Sequence, residues 1–279
     1  MRLRHISTTI GVSLVALISA TDAATVDLPQ TAALPAGSSS TRGFLVRTAQ
    51  GPEASILKNN ATRALNQING TLVDAEGALV PNEAFPGPLT GGAYAVDTAS
   101  FEKDATQVDV IDVDQNLLAS FSSFSFPGIP GSGNHTDNFA AEVVGLVALP
   151  AGVTTFGVSS STGRTDTEND DGFVVTVGTP PSDFFGVKIG EFQRNAPPFA
   201  SNYRNETQFS VNAPVAGLYP LRLLFWQTGF GANLNWYTIL ESGERILLND
   251  TGLDARALQV FQDSTVASVN APYIAEVRP

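Results

Sequence analysis

Leu218-Tyr219-Pro220-Leu221-Arg222-Leu223-Leu224-Phe225-Trp226-Gln227 is the stretch on which the fold turns. Tyr219, Leu221, Leu223 and Phe225 fall on one parity of an extended chain, and Leu218, Leu224 and Trp226 on the other. A strand that is apolar on both parities belongs in the middle of a sheet that is covered on both faces. Pro220 has no N–H to give to a ladder, which predicts a bulge or an edge stretch at the start of this strand. Thr228-Gly229-Phe230-Gly231-Ala232 leads into a second run, Leu234–Leu240, and its glycines are free to adopt positive φ, so the pair reads as a hairpin.

Working outward, runs rich in branched and aromatic residues recur between Gly, Pro, Asn and Asp punctuation: Gln107–Val113, Val143–Leu149, Val153–Ser159, Phe173–Val177, Val187–Phe192, Thr207–Val211 and Arg245–Leu248. Many short strands of this kind predict an all-β, antiparallel β-sandwich or jelly roll. One helical stripe breaks the pattern. Ile56, Leu57, Ala61, Ala64, Leu65 and Ile68 follow a helical period, with Asn69-Gly70 as the stop, which predicts a short helix near the N-terminus. Residues 24–42, rich in Ala, Thr, Ser and Gly, read as a flexible or loosely docked arm, and residues 43–279 as one sandwich domain.

The first residues have the layout of a secretory signal: basic Arg2, Arg4 and His5, an apolar Ile10–Ile18, then small Ser19, Ala20, Ala23 and Ala24, with cleavage expected near Ala23. The apolar stretch is shorter than the ~20 residues that a spanning helix needs, and no later segment is long enough, so membrane insertion is not expected. Losing residues 1–23 removes two arginines and one aspartate and takes the net charge from −12 to −13. A surface this acidic repels phosphate backbones, which argues against nucleic acid as a partner. The chain holds no cysteine, which excludes thiol nucleophiles and disulfide staples, so a large core must carry the fold. His135 is the only imidazole beyond the signal, which excludes a histidine-rich zinc site.

Asp166-Thr167-Glu168-Asn169-Asp170-Asp171-Gly172-Phe173 packs four carboxylates into six residues just before a strand. Two chemistries suit such a loop. A hard cation such as Ca²⁺ neutralises it through oxygen ligands, or the carboxylates cap backbone N–H groups as in an Asx-turn. The spacing is not that of a calcium-binding helix-loop-helix.

Gly145-Leu146-Val147-Ala148-Leu149-Pro150-Ala151-Gly152, then Thr155-Phe156-Gly157-Val158-Ser159, then Asn169-Asp170-Asp171-Gly172-Phe173-Val174-Val175, resemble the protective-antigen fourteen-kilodalton (PA14) domain. Ala216-Gly217-Leu218-Tyr219-Pro220-Leu221-Arg222-Leu223 and Gly229-Phe230-Gly231-Ala232-Asn233-Leu234-Asn235-Trp236 are similar to its later strands, so the likeness spans about residues 139–250. That family is a β-sandwich found in bacterial toxins, glycosidases and yeast flocculins. In its sugar-binding members, adjacent aspartates hold a Ca²⁺ that coordinates sugar hydroxyls, and an asparagine from a nearby loop completes the site. The resemblance therefore implies Asp170 and Asp171 as metal ligands, Asn233 as a third, and a glycan as the partner. Here Gly163–Glu168 is inserted and Asn169 stands where serine is usual.

Phe230, at the hairpin tip, either stacks on a sugar ring or folds over its own loop; Trp226 and Trp236 are expected in the core. Glu142, Glu191 and Asp183 are the carboxylates available for a two-carboxylate hydrolase, but a lone serine elbow or carboxylate cleft is not signalled, and no enzyme is expected. N-x-[ST] sequons stand at Asn60, Asn69, Asn134, Asn205 and Asn249, and Asn is also common in β-protein turns. Three functions fit: an exported, non-catalytic glycan-binding module, with or without Ca²⁺; a structural or assembly subunit of the cell envelope that associates with itself; and a catalytically inert accessory domain that targets an enzyme partner to polysaccharide.

Overall fold

The computed structural model describes residues 25–35, 37–55, 57–103, 107–112, 116–160, 171–178, 186–193, 206–229 and 231–262. The signal-like segment, Asp170, Asp183 and Phe230 lie outside the described residues. In chain order the strands are β1 (Val26–Asp27), β2 (Phe44–Gln50), β3 (Tyr94–Val96), β4 (Ser100–Glu102), β5 (Gln107–Ile111), β6 (Leu117–Ser122), β7 (Phe139–Leu149) and β8 (Gly152–Ser160). They continue with β9 (Gly172–Val177), β10 (Val187–Phe192), β11 (Glu206–Ala213), β12 (Gly217–Trp226), β13 (Asn233–Ile239), β14 (Arg245–Leu247) and β15 (Val260–Phe261). The helix α1 spans Ala61–Ile68.

Two sheets form the sandwich. One runs β1-β11-β8-β13-β14 with β4 also paired to β13; the other runs β10-β9-β12-β7-β2-β3 with β15 beside β7. Among the described residues, every pairing between these strands is antiparallel except β1 on β11. The central strand expected from the sequence is β12, flanked by β7 and β9. Its Tyr219, Leu221, Leu223 and Phe225 enter the core with Phe139, Val143 and Phe173 of the same sheet and Phe156, Phe209 and Trp236 of the other. Phe44 and Trp236 meet across the gap with ring centroids 5.8 Å apart.

Pro220 sits where the sequence requires. The main-chain groups of Leu218 point away from β7, to Leu34, and the Pro220 carbonyl points the same way, to Gly178 N–H. β9 pairs only with Leu221–Trp226, so the missing N–H of Pro220 faces an edge stretch and costs the β7 ladder nothing.

Each outer face has a cover. On the β12 sheet, Leu224 and Trp226 pack with Ala49 and Ala140 beneath Ala64 and Ile68 of α1. The helix begins at Ala61, later than the Ile56 of the sequence pattern, because Asn60 is its N-cap and accepts from Arg63 N–H through Oδ1 at 2.9 Å. On the β13 sheet, the β5–β6 hairpin lays Val110 and Phe121 on Tyr237 and Leu247. Among the described residues, no helix is long and apolar enough to cross a membrane.

The arm differs from its expected looseness, and the fold starts before Gly43. Val26 and Asp27 pair with Val211 and Asn212, while Leu28 and Ala32 are buried in the main core. Only two residues pair before the chain wraps across the end of β12, so no strand period shows in the sequence.

Candidate functional site

Strand register brings one end of the sandwich together. Glu206 pairs with Ser159, Leu234 with Ser160, Gly172 with Trp226, Trp226 with Ala140, and Asn233 with Glu102. Asp171 and Asn233, read from the sequence as ligands, both lie there. Asp171 is fully buried, and its Oδ2 accepts the main-chain N–H of Asn233 at 3.3 Å, tying the two sheets together. Asp171 thus caps a backbone N–H of the opposite sheet.

Asn233 is 1 % exposed, yet neither its Oδ1 nor its Nδ2 has a hydrogen-bond partner among the described residues. Buried carboxamides almost always have partners, and among the described residues this one has none. Its register partner is the buried Glu102, and both side chains leave the same face. An amide carbonyl oxygen is the kind of ligand that a hard cation takes, but among the described residues no three Asp, Glu or His side chains are grouped to hold a metal ion.

Beside these residues lies a set that sequence reasoning missed. Asp137 Oδ1 accepts from Lys103 Nζ at 2.9 Å and from Gln227 Nε2 at 3.1 Å. Gln227 Nε2 also donates to the Gly229 carbonyl at 2.8 Å, and Lys103 N–H donates to the Ala232 carbonyl at 3.0 Å. Arg63, on α1, donates to the carbonyls of Phe139 and Gln227, each at 3.1 Å. The helix thus fixes the base of the β12–β13 connection. Below it, Gln50 Nε2 donates to the carbonyls of His135 and Asp137, and His135 Nε2 lies 3.0 Å from Glu83 Oε2.

Of the candidate hydrolase carboxylates that the structure describes, Glu142 and Glu191 stand in separate environments, one buried and one exposed. Glu142 is buried between Arg47 and Arg222, with Arg222 Nε 2.7 Å from its Oε1. Burial alone would raise its carboxyl, but the two guanidiniums outweigh that and hold it below the usual value, so it is an ionised structural group and not a proton donor. Glu191 pairs on the exposed surface of β10 with Lys188 at 2.6 Å. Trp226 and Trp236 are buried as expected, the first under α1 and the second between the sheets.

No family model matches the chain, and no curated protein does. Solved structures with similarity include the epithelial adhesin 9 A domain of Candida glabrata in complex with Galb1-3GlcNAc, at 12% identity and a TM-score of 0.43, over 83% of this chain and 94% of that one. The PA14 domain of the antifreeze protein MpAFP matches at 12% identity and TM-score 0.41, over 81% and 93%. A PA14 sugar-binding domain from an RTX adhesin matches at 13% identity and TM-score 0.40, over 75% and 96%. The solved structures similar to this chain thus include PA14 domains, the family that residues 139–250 resemble in sequence.

Proposed function

We propose that this chain is an exported, non-catalytic glycan-binding module whose ligand is held at the Asp171–Asn233 end of the sandwich. The observation that carries the reading is the buried Asn233 carboxamide, without a partner among the described residues, next to the buried Asp171 carboxylate. Asp170, Asp171 and Asn233 are the residues that would hold a Ca²⁺, which when bound supplies open coordination positions for a pair of sugar hydroxyls. The chain's own part is to place those oxygens. Asp171 is fixed by Asn233 N–H, and the connection that carries Phe230 is braced through Arg63, Gln227 and Lys103. Phe230 is the residue proposed to stack on a ring.

The test is Ca²⁺ titration of residues 24–279 by calorimetry and thermal melting, followed by a glycan array in Ca²⁺ and in chelator. Binding heat and a raised melting temperature, absent from Asp170→Asn/Asp171→Asn, support the metal, since a ligand that binds only the folded state stabilises it. Sugar binding that survives chelation keeps the glycan and removes the metal. Neither heat nor sugar binding, with sedimentation showing oligomers, turns the assignment to an assembly subunit.

A further inference from the structure

Asp137 is held in an unusual way. Both donors that reach its carboxylate, Lys103 Nζ and Gln227 Nε2, land on Oδ1. Oδ2 takes no hydrogen bond from any described residue, and the side chain is 34% exposed while that of Lys103 is 11% exposed. The main chain is pinned as well: Asp137 N–H donates to His135 Nδ1 at 3.3 Å, and its carbonyl accepts from Gln50 Nε2 at 3.2 Å. Rotation of the carboxylate would break two charge-assisted or amide bonds at once, so Oδ2 is a fixed, open acceptor. A preorganised acceptor loses little freedom when it binds, which is where selectivity comes from.

Its position relative to the ligand end follows from the same bonds. Lys103, which grips Asp137 through Nζ, grips the Ala232 carbonyl through its own N–H, and Ala232 is the residue before Asn233. Gln227 does the same for the other leg, at Gly229. One carboxylate oxygen therefore braces both legs of the β12–β13 connection, while the other, on a partly exposed side chain, takes no hydrogen bond from a described residue.

We propose that Asp137 is a ligand-contacting, specificity-determining residue of this end, its Oδ2 accepting a hydrogen bond from a hydroxyl of a neutral sugar. The inference rests on the glycan-binding reading above and adds the residue that selects among neutral sugars. Anionic sugars are disfavoured at an open carboxylate on a chain of net charge −12.

Asp137→Asn separates the two roles of the carboxylate. Lys103 and Gln227 will draw the amide oxygen to the Oδ1 position, which leaves the NH₂ where Oδ2 stood, so the brace persists while the open acceptor becomes a donor. The experiment measures binding of immobilised lactose, Galb1-3GlcNAc and the strongest neutral array hit to wild type and to Asp137→Asn, with monodeoxy analogues of the strongest one. The expected result is a melting temperature near that of wild type, a roughly tenfold or greater loss of affinity, and one deoxy analogue that binds both proteins alike. Asp137→Glu, which keeps the charge but moves the oxygen by a methylene, is measured beside it and is expected to lose affinity too, so that a poorly folded Asp137→Asn still leaves a decision. Unchanged affinity in a folded variant overturns the role of Asp137 and leaves the glycan reading standing. Absence of any sugar binding by wild type overturns both.

Discussion

Gly172 lies with its backbone against the indole of Trp226: a Cβ built on it would stand 2.4 Å from Cε2 and 2.6 Å from Nε1. Gly172 follows Asp171 directly, and Trp226 is itself held down by α1. The Asp171 carboxylate is therefore placed by a close approach that only glycine permits.

Gly172→Ala is expected to destabilise the fold by about 1–3 kcal/mol through overpacking, and to weaken any Ca²⁺ or sugar binding more than it lowers the melting temperature would suggest. Gly252, where a Cβ would meet nothing within 4 Å, is the matched control. Gly252→Ala should leave the denaturation midpoint unchanged or raise it slightly. Urea melts of the two variants check this, and equal midpoints would contradict the packing argument.

Acid should weaken the protein through Glu142. Its carboxyl lies below the usual value in the folded state because Arg47 and Arg222 outweigh the effect of burial. The unfolded chain therefore takes up its proton first. The contribution of the triad is complete above the unfolded carboxyl value, about 4.3, and drains as pH falls through the folded one. Glu206 is shifted in the same direction, with hydrogen bonds from Arg245, Gln208 and Tyr237 overcoming burial. Glu142→Gln is expected to cost about 3–5 kcal/mol at neutral pH, because it leaves two buried guanidiniums without their anion, and to flatten the loss of stability below pH ~5. Urea midpoints across a pH series for both proteins test the direction; a parallel pH slope would remove Glu142 from the account.

Tyr237 should resist ionisation in the folded protein. Burial and the neighbouring Glu206 carboxylate push its phenol well above the usual value, and its OH donates to Glu206 Oε1 at 2.9 Å. Alkaline difference spectra of the wild type and of Tyr237→Phe should differ by one phenol that ionises only with unfolding. The same substitution is expected to cost about 1.5–3 kcal/mol for the lost bond to a charged acceptor.

The helix can be loosened at its cap. Asn60→Ala should cost about 1 kcal/mol, because Arg63 N–H loses its acceptor. Arg63→Lys should cost more, since an ammonium cannot reach Lys58, Gln67, Phe139 and Gln227 with the fork that the guanidinium spans. Hydrogen exchange should then rise at Gln227 and Gly229 before it rises in the core strands.

Strands built on branched and aromatic residues were legible because their patterns are local: β7 to β14 all overlap runs read from the sequence. β2 was not. Phe44–Gln50 is buried throughout, yet it carries Arg47, Thr48 and Gln50, whose partners are Glu142, Pro127 and the loop around His135. A polar residue that is satisfied from far along the chain looks like a surface residue until the partner is placed. The site divides in the same way. Asp171 and Asn233 came forward through their motifs, whereas Asp137 is linked to Lys103 and Gln227 across 34 and 90 residues. Nothing in His135-Thr136-Asp137-Asn138 distinguishes that aspartate from a turn residue.

The two residues of β1 have a consequence out of proportion to their length. Val26 and Asp27 occupy the outer margin of β11, in parallel register with Val211 and Asn212, and Leu28 N–H closes on the Asn212 carbonyl. A shortened chain that began at Gly43 would bare that margin, with its unpaired N–H and C=O groups and the buried Val211 beside them. An unpaired margin of that kind is a template for strand addition. The small N-terminal segment thus shortens the open edge of β11 as well as adding to the sandwich.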